Sequence, residues 1–292
     1  MNYLGFRVAS ALLGVLPEWA MRRLGETVGY VAWLWAGKRK HNATRAMARV
    51  LGENPDAPSL QTIRTARALF TSYGRYWAET FWIRPRRVKA IHRHIEVQGI
   101  EHFRAALAAG KGVIFALPHV GNWEVAGTVA AAEGAELLAV AEKLKDDRIV
   151  NWFAGLRKAL GIDVVLATGR EKVFEVCAEG LRRNAAVALL ADRNLSGRGV
   201  IVSFFGEDTR LPVGPARLAL ETGAPIVPVG SFFQDGRGHR VTMLDPVDVG
   251  PDDDVASITA KVASALEVVV RLDPAQWHMM QPNWPSDRLV SR

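Results

Sequence analysis

Apolar residues recur at three- and four-residue intervals from the start of the chain to about residue 92, which predicts helices over Tyr3–Leu16, Pro17–Trp35, Lys38–Leu51 and Ser59–Trp82. Pro17 suits a first helical turn, Pro55 and Pro58 interrupt the pattern, and Pro85 begins the exit from it. From about Ile95 the period changes. Gly112–Leu117, Leu137–Ala141, Ile162–Leu166 and Ala186–Ala191 are short apolar runs of the kind a parallel sheet buries on both faces. Helical stretches near 121–133, 146–160 and 170–183 lie between them. This alternation predicts an α/β fold with a mixed, mostly parallel central sheet flanked by helices. Val200–Phe205, Ile226–Gln234 and His239–Leu244 read as further strands, the last two joined by Asp235-Gly236-Arg237-Gly238, and a helix follows over Asp254–Leu272. With no repeat, low-complexity tract or flexible linker, residues 1–292 read as one domain: a helical front (1–92) packed on an α/β core (93–292).

Composition narrows the class. The chain has 292 residues, 49% hydrophobic and 23% charged, which suits a globular protein and excludes disorder or a fibrous repeat as an overall description. The lone Cys177 permits no internal disulfide, and no Cys/His cluster has zinc spacing, so a reducing compartment fits best and no metal site is expected.

Charge is unevenly placed. Residues 1–110 carry 17 Lys/Arg against 7 Asp/Glu, whereas 111–292 carry 20 against 23. Trp19, Trp33, Trp35, Trp77 and Trp82 stand in the basic part. Basic and aromatic residues together suit nucleic acid or an anionic membrane surface; no helix-turn-helix, RNP or zinc-finger pattern supports nucleic acid, so the membrane surface is the expected partner. The charge-free runs Val8–Pro17 and Thr27–Gly37 are about half the ~20 residues that a spanning helix needs. Arg7 before Val8–Leu16 resembles the start of a signal peptide, but Pro17-Glu18-Trp19 makes a poor cleavage site. These segments read as amphipathic helices that lie on a membrane or pack on the core.

The segment richest in chemistry is Gly112-Val-Ile-Phe-Ala-Leu-Pro-His119-Val-Gly-Asn122-Trp-Glu124. A buried strand runs into a sharp turn and a new helix capped by Asn122, so His119 should emerge, exposed, at the strand's carboxyl end, where open α/β sheets place ligands. The loop can fold the imidazole back toward Glu124, and a carboxylate there would fix the tautomer and raise the basicity of the other ring nitrogen. No Gly-x-Ser-x-Gly elbow occurs, and Cys177 falls inside a helix. A general base acting on an acceptor hydroxyl, without a covalent intermediate, is therefore the favoured chemistry. Helix-start amides after His119 are candidate oxyanion donors. Asp252-Asp253-Asp254 reads as a helix start rather than a metal cluster.

These residues carry a family resemblance. His119 and Glu124 match the His-x-x-x-x-Asp/Glu motif of glycerolipid acyltransferases, and the whole chain resembles the bacterial late lipid A acyltransferase family through ordered blocks. Among them are Arg39-Lys40-His41-Asn42, Ala191-Asp192-Arg193-Asn194-Leu195, Phe204-Phe205-Gly206, Leu211-Pro212-Val213-Gly214-Pro215-Ala216, Trp277-His278 and Pro282-Asn283-Trp284. Asp192-Arg193, where lipid A enzymes commonly show Asp-Gln, is similar to the actinobacterial branch that acylates phosphatidylinositol mannosides. The resemblance implies transfer of a fatty acyl chain from acyl-CoA, as co-substrate and with no other cofactor, to a mannose hydroxyl of a membrane glycolipid. The site would be peripheral, on the cytoplasmic face of the cell membrane. It further implies His119 as base, Glu124 as its partner, and Glu142, Arg157, Arg170 and Asp192 as substrate-binding positions. Glu142 and Asp192 would meet sugar hydroxyls or cap helices; Arg157 and Arg170 would meet phosphates of CoA or the lipid headgroup, or form surface ion pairs. Two other functions remain open on the residues alone: acylation of a lipid A precursor or lysophospholipid, and non-catalytic peripheral lipid binding. Thiol release from acyl-CoA separates the second from catalysis.

Overall fold

The computed structural model describes residues 3–141, 146–166, 169–194 and 197–290. The front consists of α1 (Tyr3–Val15), α2 (Glu18–Trp35), α3 (Lys38–Val50) and α4 (Leu60–Trp82). Then follow α5 (Pro85–His92), β1 (Ile95–Gln98), α6 (Ile100–Ala108), β2 (Val113–Leu117), α7 (Trp123–Ala132), β3 (Leu137–Ala141), α8 (Asp147–Ala159), β4 (Ile162–Leu166), α9 (Arg170–Arg182) and β5 (Ala186–Leu190). A hairpin of β6 (Val200–Phe204) and β7 (Glu207–Leu211) leads to α10 (Gly214–Thr222), β8 (Ile226–Phe233), β9 (His239–Met243), α11 (Val255–Arg271), a 3₁₀ turn Pro274–Gln276 and α12 (Pro285–Val290).

Among the described residues one seven-stranded sheet runs β1-β9-β8-β2-β5-β3-β4. From β8 to β4 all neighbours are parallel, and β9 reverses against β8 and pairs parallel with β1. The sheet is thus mixed and mostly parallel. Val200–Phe204 departs from expectation, pairing with β7 in a hairpin of its own rather than joining the sheet. The two-residue link Phe205-Gly206, both at positive φ (51° and 78°), matches the twist of such a hairpin. Glu-Asp-Thr-Arg-Leu is too polar for β7 to have been read as a strand.

Alternation along β2 separates two apolar cores. Val113, Phe115 and Leu117 face Phe103, Val125 and Val129, whereas Ile114 and Ala116 face Phe70, Leu266 and Trp277. The α2–α4 pair spans both, with Met21, Ala78 and Trp82 in the first core and Trp33 and Phe70 in the second. Met21, Gly25, Gly29 and Trp33 form the buried stripe of α2. A Cβ on Gly29 would sit 2.1 Å from the Phe70 carbonyl oxygen, so only glycine allows this approach to α4. Beside Met21 and Trp33, which point inward, other large apolar residues of α2 point the other way: Trp19 is 72% and Trp35 86% exposed. On α1, Leu4, Val8, Leu12 and Val15 form a second exposed stripe. Trp33 and Trp82, in contrast, are buried, Trp33 against Phe70 and Trp82 donating its Nε1–H to the Leu16 carbonyl, so neither is available to a membrane surface. No helix among the described residues is long and apolar enough to cross a membrane.

Candidate active site

The parallel pairing of β2 with β5 sets Leu117 opposite Leu190, so the segments leaving both strands emerge side by side. His119 leaves β2 after Pro118; Asp192 leaves β5 after Ala191. The His119 Nδ1 to Asp192 Oδ1 distance is 2.6 Å, and Asp192 Oδ2 accepts the His119 backbone N–H at 3.0 Å and the Trp277 Nε1–H at 2.7 Å. Asn283 donates to the Asp192 carbonyl at 3.2 Å, so the C-terminal segment clamps this residue from behind.

Burial works to raise the Asp192 pKa, but the His119 charge and the His119 and Trp277 hydrogen bonds overcome it and hold the group down at about 2. An ionised carboxylate only accepts, so Nδ1 of His119 must carry the proton and Nε2 is left as the basic nitrogen.

The carboxylate that meets His119 is therefore Asp192 and not Glu124. Glu124 caps no imidazole: it forms a two-pronged ion pair with Arg157 of α8, with an Arg157 NH2 to Oε1 distance of 2.6 Å and Nε to Oε2 of 2.9 Å. Burial alone would lower the Arg157 pKa, and the Glu124 charge and hydrogen bonds outweigh it, leaving the guanidinium more basic than usual. The reason is local. Asn122 caps α7 through the Glu124 N–H at 3.1 Å, which places Glu124 inside the first helical turn, facing α8, while His119 stays on the strand exit. His119 itself is buried rather than exposed, walled by Trp123 with ring centroids 5.3 Å apart.

His119, Glu124 and Arg157 all line one cavity of about 600 Å³ that runs between the sheet, α4, α7 and α8. At its polar end Trp123, Tyr76, Tyr73 and His278 cluster with His119, Arg193 also lines it, and Phe115, Ala126, Gly127, Ala130, Leu137 and Ile162 make other parts of the wall apolar. The His278 Nε2 lies 3.0 Å from the Ser72 hydroxyl, and burial, with His119 repulsion, pushes the ring pKa down to about 3. His278 therefore stays neutral in the wall; the sequence marked it only as part of the Trp277-His278 block, not as a site residue. Its backbone N–H donates to the His119 carbonyl at 2.8 Å. Of the amides after His119, those of Val120, Gly121, Asn122 and Glu124 already donate within the protein, to Pro118, Gln276 and Ser231 carbonyls and to the Asn122 side chain. They are not free to serve as oxyanion donors. Glu142 lies outside the described residues, and of Arg170 only the backbone, at the start of α9, is described.

The family described as bacterial lipid A biosynthesis acyltransferase matches residues 2–286. The chain belongs to this family. It is 39% identical over 280 residues to the phosphatidylinositol mannoside acyltransferase of Mycobacterium tuberculosis (strain ATCC 25618 / H37Rv), covering 95% of this chain and 86% of that protein. It is 38% identical over 288 residues to the protein of the same name from Mycolicibacterium smegmatis, covering 97% and 91%. An apolar slot with a His–Asp pair at one side is a shape that fits membership of an acyltransferase family.

Proposed function

We propose that the protein transfers a fatty acyl chain from acyl-CoA to a mannose hydroxyl of phosphatidylinositol mannoside by direct attack. The observation that carries this is the His119–Asp192 pair at the polar end of the apolar cavity. The acyl chain occupies the cavity and the thioester carbonyl lies beside His119. As the acceptor oxygen attacks the carbonyl carbon, Nε2 of His119 takes the hydroxyl proton, and Asp192 stabilises the imidazolium so formed. Collapse of the tetrahedral intermediate breaks the C–S bond, and the departing thiolate receives that proton. An ester and a free thiol result, and the enzyme returns to its starting state. His278, kept neutral, leaves the imidazole of His119 as the ring that carries the proton.

The exposed stripes of α1 and α2 support peripheral attachment to the cytoplasmic face of the membrane, where the acceptor resides. Leu4, Val8, Leu12, Trp19 and Trp35 would sit at headgroup depth, with Arg23 and the Lys38-Arg39-Lys40 run against anionic lipid.

The test is incubation of the purified protein and its His119→Ala variant with labelled acyl-CoA, phosphatidylinositol mannoside and anionic phospholipid, followed by mass spectrometry of lipid and protein. Label in the mannoside, thiol release that needs the acceptor, and no acylated peptide support the reading. Transfer only to a lipid A precursor or a lysophospholipid, or a stable acyl-protein, would overturn it.

A further inference from the structure

The loop that carries His119 is tied to the helical front by one buried carboxylate. Glu79 of α4 is buried, and its Oε2 accepts the Asn122 Nδ2–H at 2.6 Å and lies 2.8 Å from His239 Nε2 on β9. Burial works to raise its pKa, and the His239 and Arg75 charges with the His239 and Asn122 hydrogen bonds bring it below the usual carboxylate range. Asn122 is itself fully buried, with a hydrogen bond at each of its four polar atoms. Its Oδ1 caps α7, its backbone N–H donates to the Ser231 carbonyl at 3.0 Å, and its carbonyl accepts the Ser231 hydroxyl at 2.7 Å. One residue earlier Gly121 turns at φ 51°, where a Cβ would meet the Ser231 carbonyl oxygen at 2.1 Å. The turn from His119 to Asn122 thus has no room to adjust, and the orientation of the Asn122 amide decides where α7 begins. That orientation is set by Glu79: facing a carboxylate, the amide must present its nitrogen, which leaves its oxygen for the helix cap.

We propose that Glu79 is a positioning residue for the catalytic turn, holding His119 in register with Asp192 through Asn122. The inference rests on the function proposed above for the His119 site. Neither Glu79 nor Asn122 lines the cavity. Loss of their bond should therefore lower kcat and leave the KM values for both substrates near those of the wild type, since only the geometry of the base is disturbed.

A polarity swap tests this. Asn122→Asp alone sets two buried carboxylates against each other and should lower kcat about 30-fold or more at pH 8. Glu79→Gln alone keeps an acceptor and should lose about threefold or less. In the Glu79→Gln/Asn122→Asp double variant the new amide NH₂ takes the place of Glu79 Oε2, donating one proton to the new carboxylate at the start of α7 and the other to His239 Nε2, whose ring proton then sits on Nδ1, so both bonds are restored with reversed polarity. Its kcat should return to within about threefold of wild type.

A second readout does not need turnover. In histidine-¹⁵N-labelled protein the His119 Nδ1 proton, assigned by its absence in His119→Ala, should shift or broaden in Asn122→Asp and recover in the swap. A kcat within twofold of wild type in folded Asn122→Asp, or a folded double variant without recovery, overturns the proposal. If Asn122→Asp does not fold, Glu79→Ala takes its place, with the same loss expected and the same twofold retention against it. Should the wild type transfer nothing to the mannoside while the His119 signal still follows the swap, the assigned function falls and the positioning role stands.

Discussion

Replacing Asp192 by asparagine probes the site most sharply, because the amide has the same shape and cannot satisfy all three of its neighbours. The carboxylate accepts three hydrogen bonds: from His119 Nδ1 at 2.6 Å, the His119 backbone N–H at 3.0 Å and Trp277 Nε1–H at 2.7 Å. An asparagine oxygen turned toward the backbone and Trp277 keeps those two bonds and faces its NH₂ to the imidazole. Nδ1 must then accept, the ring proton moves to Nε2, and the nitrogen that should take the acceptor's proton already holds one. The opposite rotamer preserves the tautomer but leaves two buried N–H donors against an NH₂, at ~1–3 kcal/mol for each unsatisfied group. The first arrangement wins, and the imidazolium also loses its buried counter-charge.

Loss of the orienting carboxylate from a His–Asp pair costs ~10³–10⁴ in kcat, or about 4–5.5 kcal/mol of barrier. Acyl transfer from labelled acyl-CoA to the mannoside, measured at saturating donor and acceptor, should show this loss with little change in KM. Far-ultraviolet circular dichroism should show the fold intact. An Asp192→Asn protein that is folded and retains kcat within threefold of wild type would refute the assignment of Asp192 as the partner of the base.

Other outcomes follow from the same contacts. Glu124→Gln should impair transfer less than His119→Ala, whereas Arg157→Ala, which strands the buried Glu124 carboxylate, should destabilise the fold by ~3–5 kcal/mol in urea unfolding; equal stability of Arg157→Ala and wild type would contradict this. His278 has a folded pKa of about 3, below its ordinary value of 6.5, so the neutral ring's contribution to stability is fully present above pH 6.5 and is lost as pH falls toward 3. The slope, about 1.4 kcal/mol per pH unit, should disappear from the pH 6 to 4 unfolding series in His278→Gln. Gly29→Ala forces a methyl into the Phe70 carbonyl and should lower stability by ~1–3 kcal/mol, a result that an unchanged melting temperature would exclude. Cosedimentation with anionic vesicles should fall in Trp19→Ala/Trp35→Ala and with rising ionic strength; indifference to both lipid charge and salt would count against the membrane face.

Much of the fold was legible because periodicity and punctuation agreed. Asn122 caps α7, and Asp254 and Ser257 form a capping box at the start of α11, as side chains of their type do wherever a helical period begins. The apolar runs became the parallel strands β2, β3, β4 and β5. Elements whose residues alternate only briefly, such as Ile-Glu-Val-Gln of β1, or are mostly polar, such as β7, gave no such signal. The sequence left open whether α2 lies on a membrane or packs on the core, because the close approach to α4 rests on Gly25 and Gly29, between Met21 and Trp33, and glycines contribute no hydrophobicity to the pattern. Close helix approach is decided by what is missing from the side chain.

Within the site, sequence spacing located His119 but attached the wrong carboxylate to it, and the structure gives the reason. A five-residue interval across a strand exit and a helix cap says nothing about the neighbouring strand, whereas the pairing of β2 with β5 decides that Asp192 arrives at His119. Glu124 and Arg157 then acquire a shared task. One stands on α7 and the other on α8, on two walls of the same cavity, and their two-pronged pair holds those walls at a set separation. An arginine so engaged cannot turn to a substrate phosphate without leaving Glu124 charged and alone in a buried position, at ~3–5 kcal/mol. Phosphate recognition by Arg157 would therefore have to repay that loss, whereas its present contact with Glu124 needs no substrate. The motif's carboxylate braces the cavity walls, and the carboxylate after β5 is the one that meets His119.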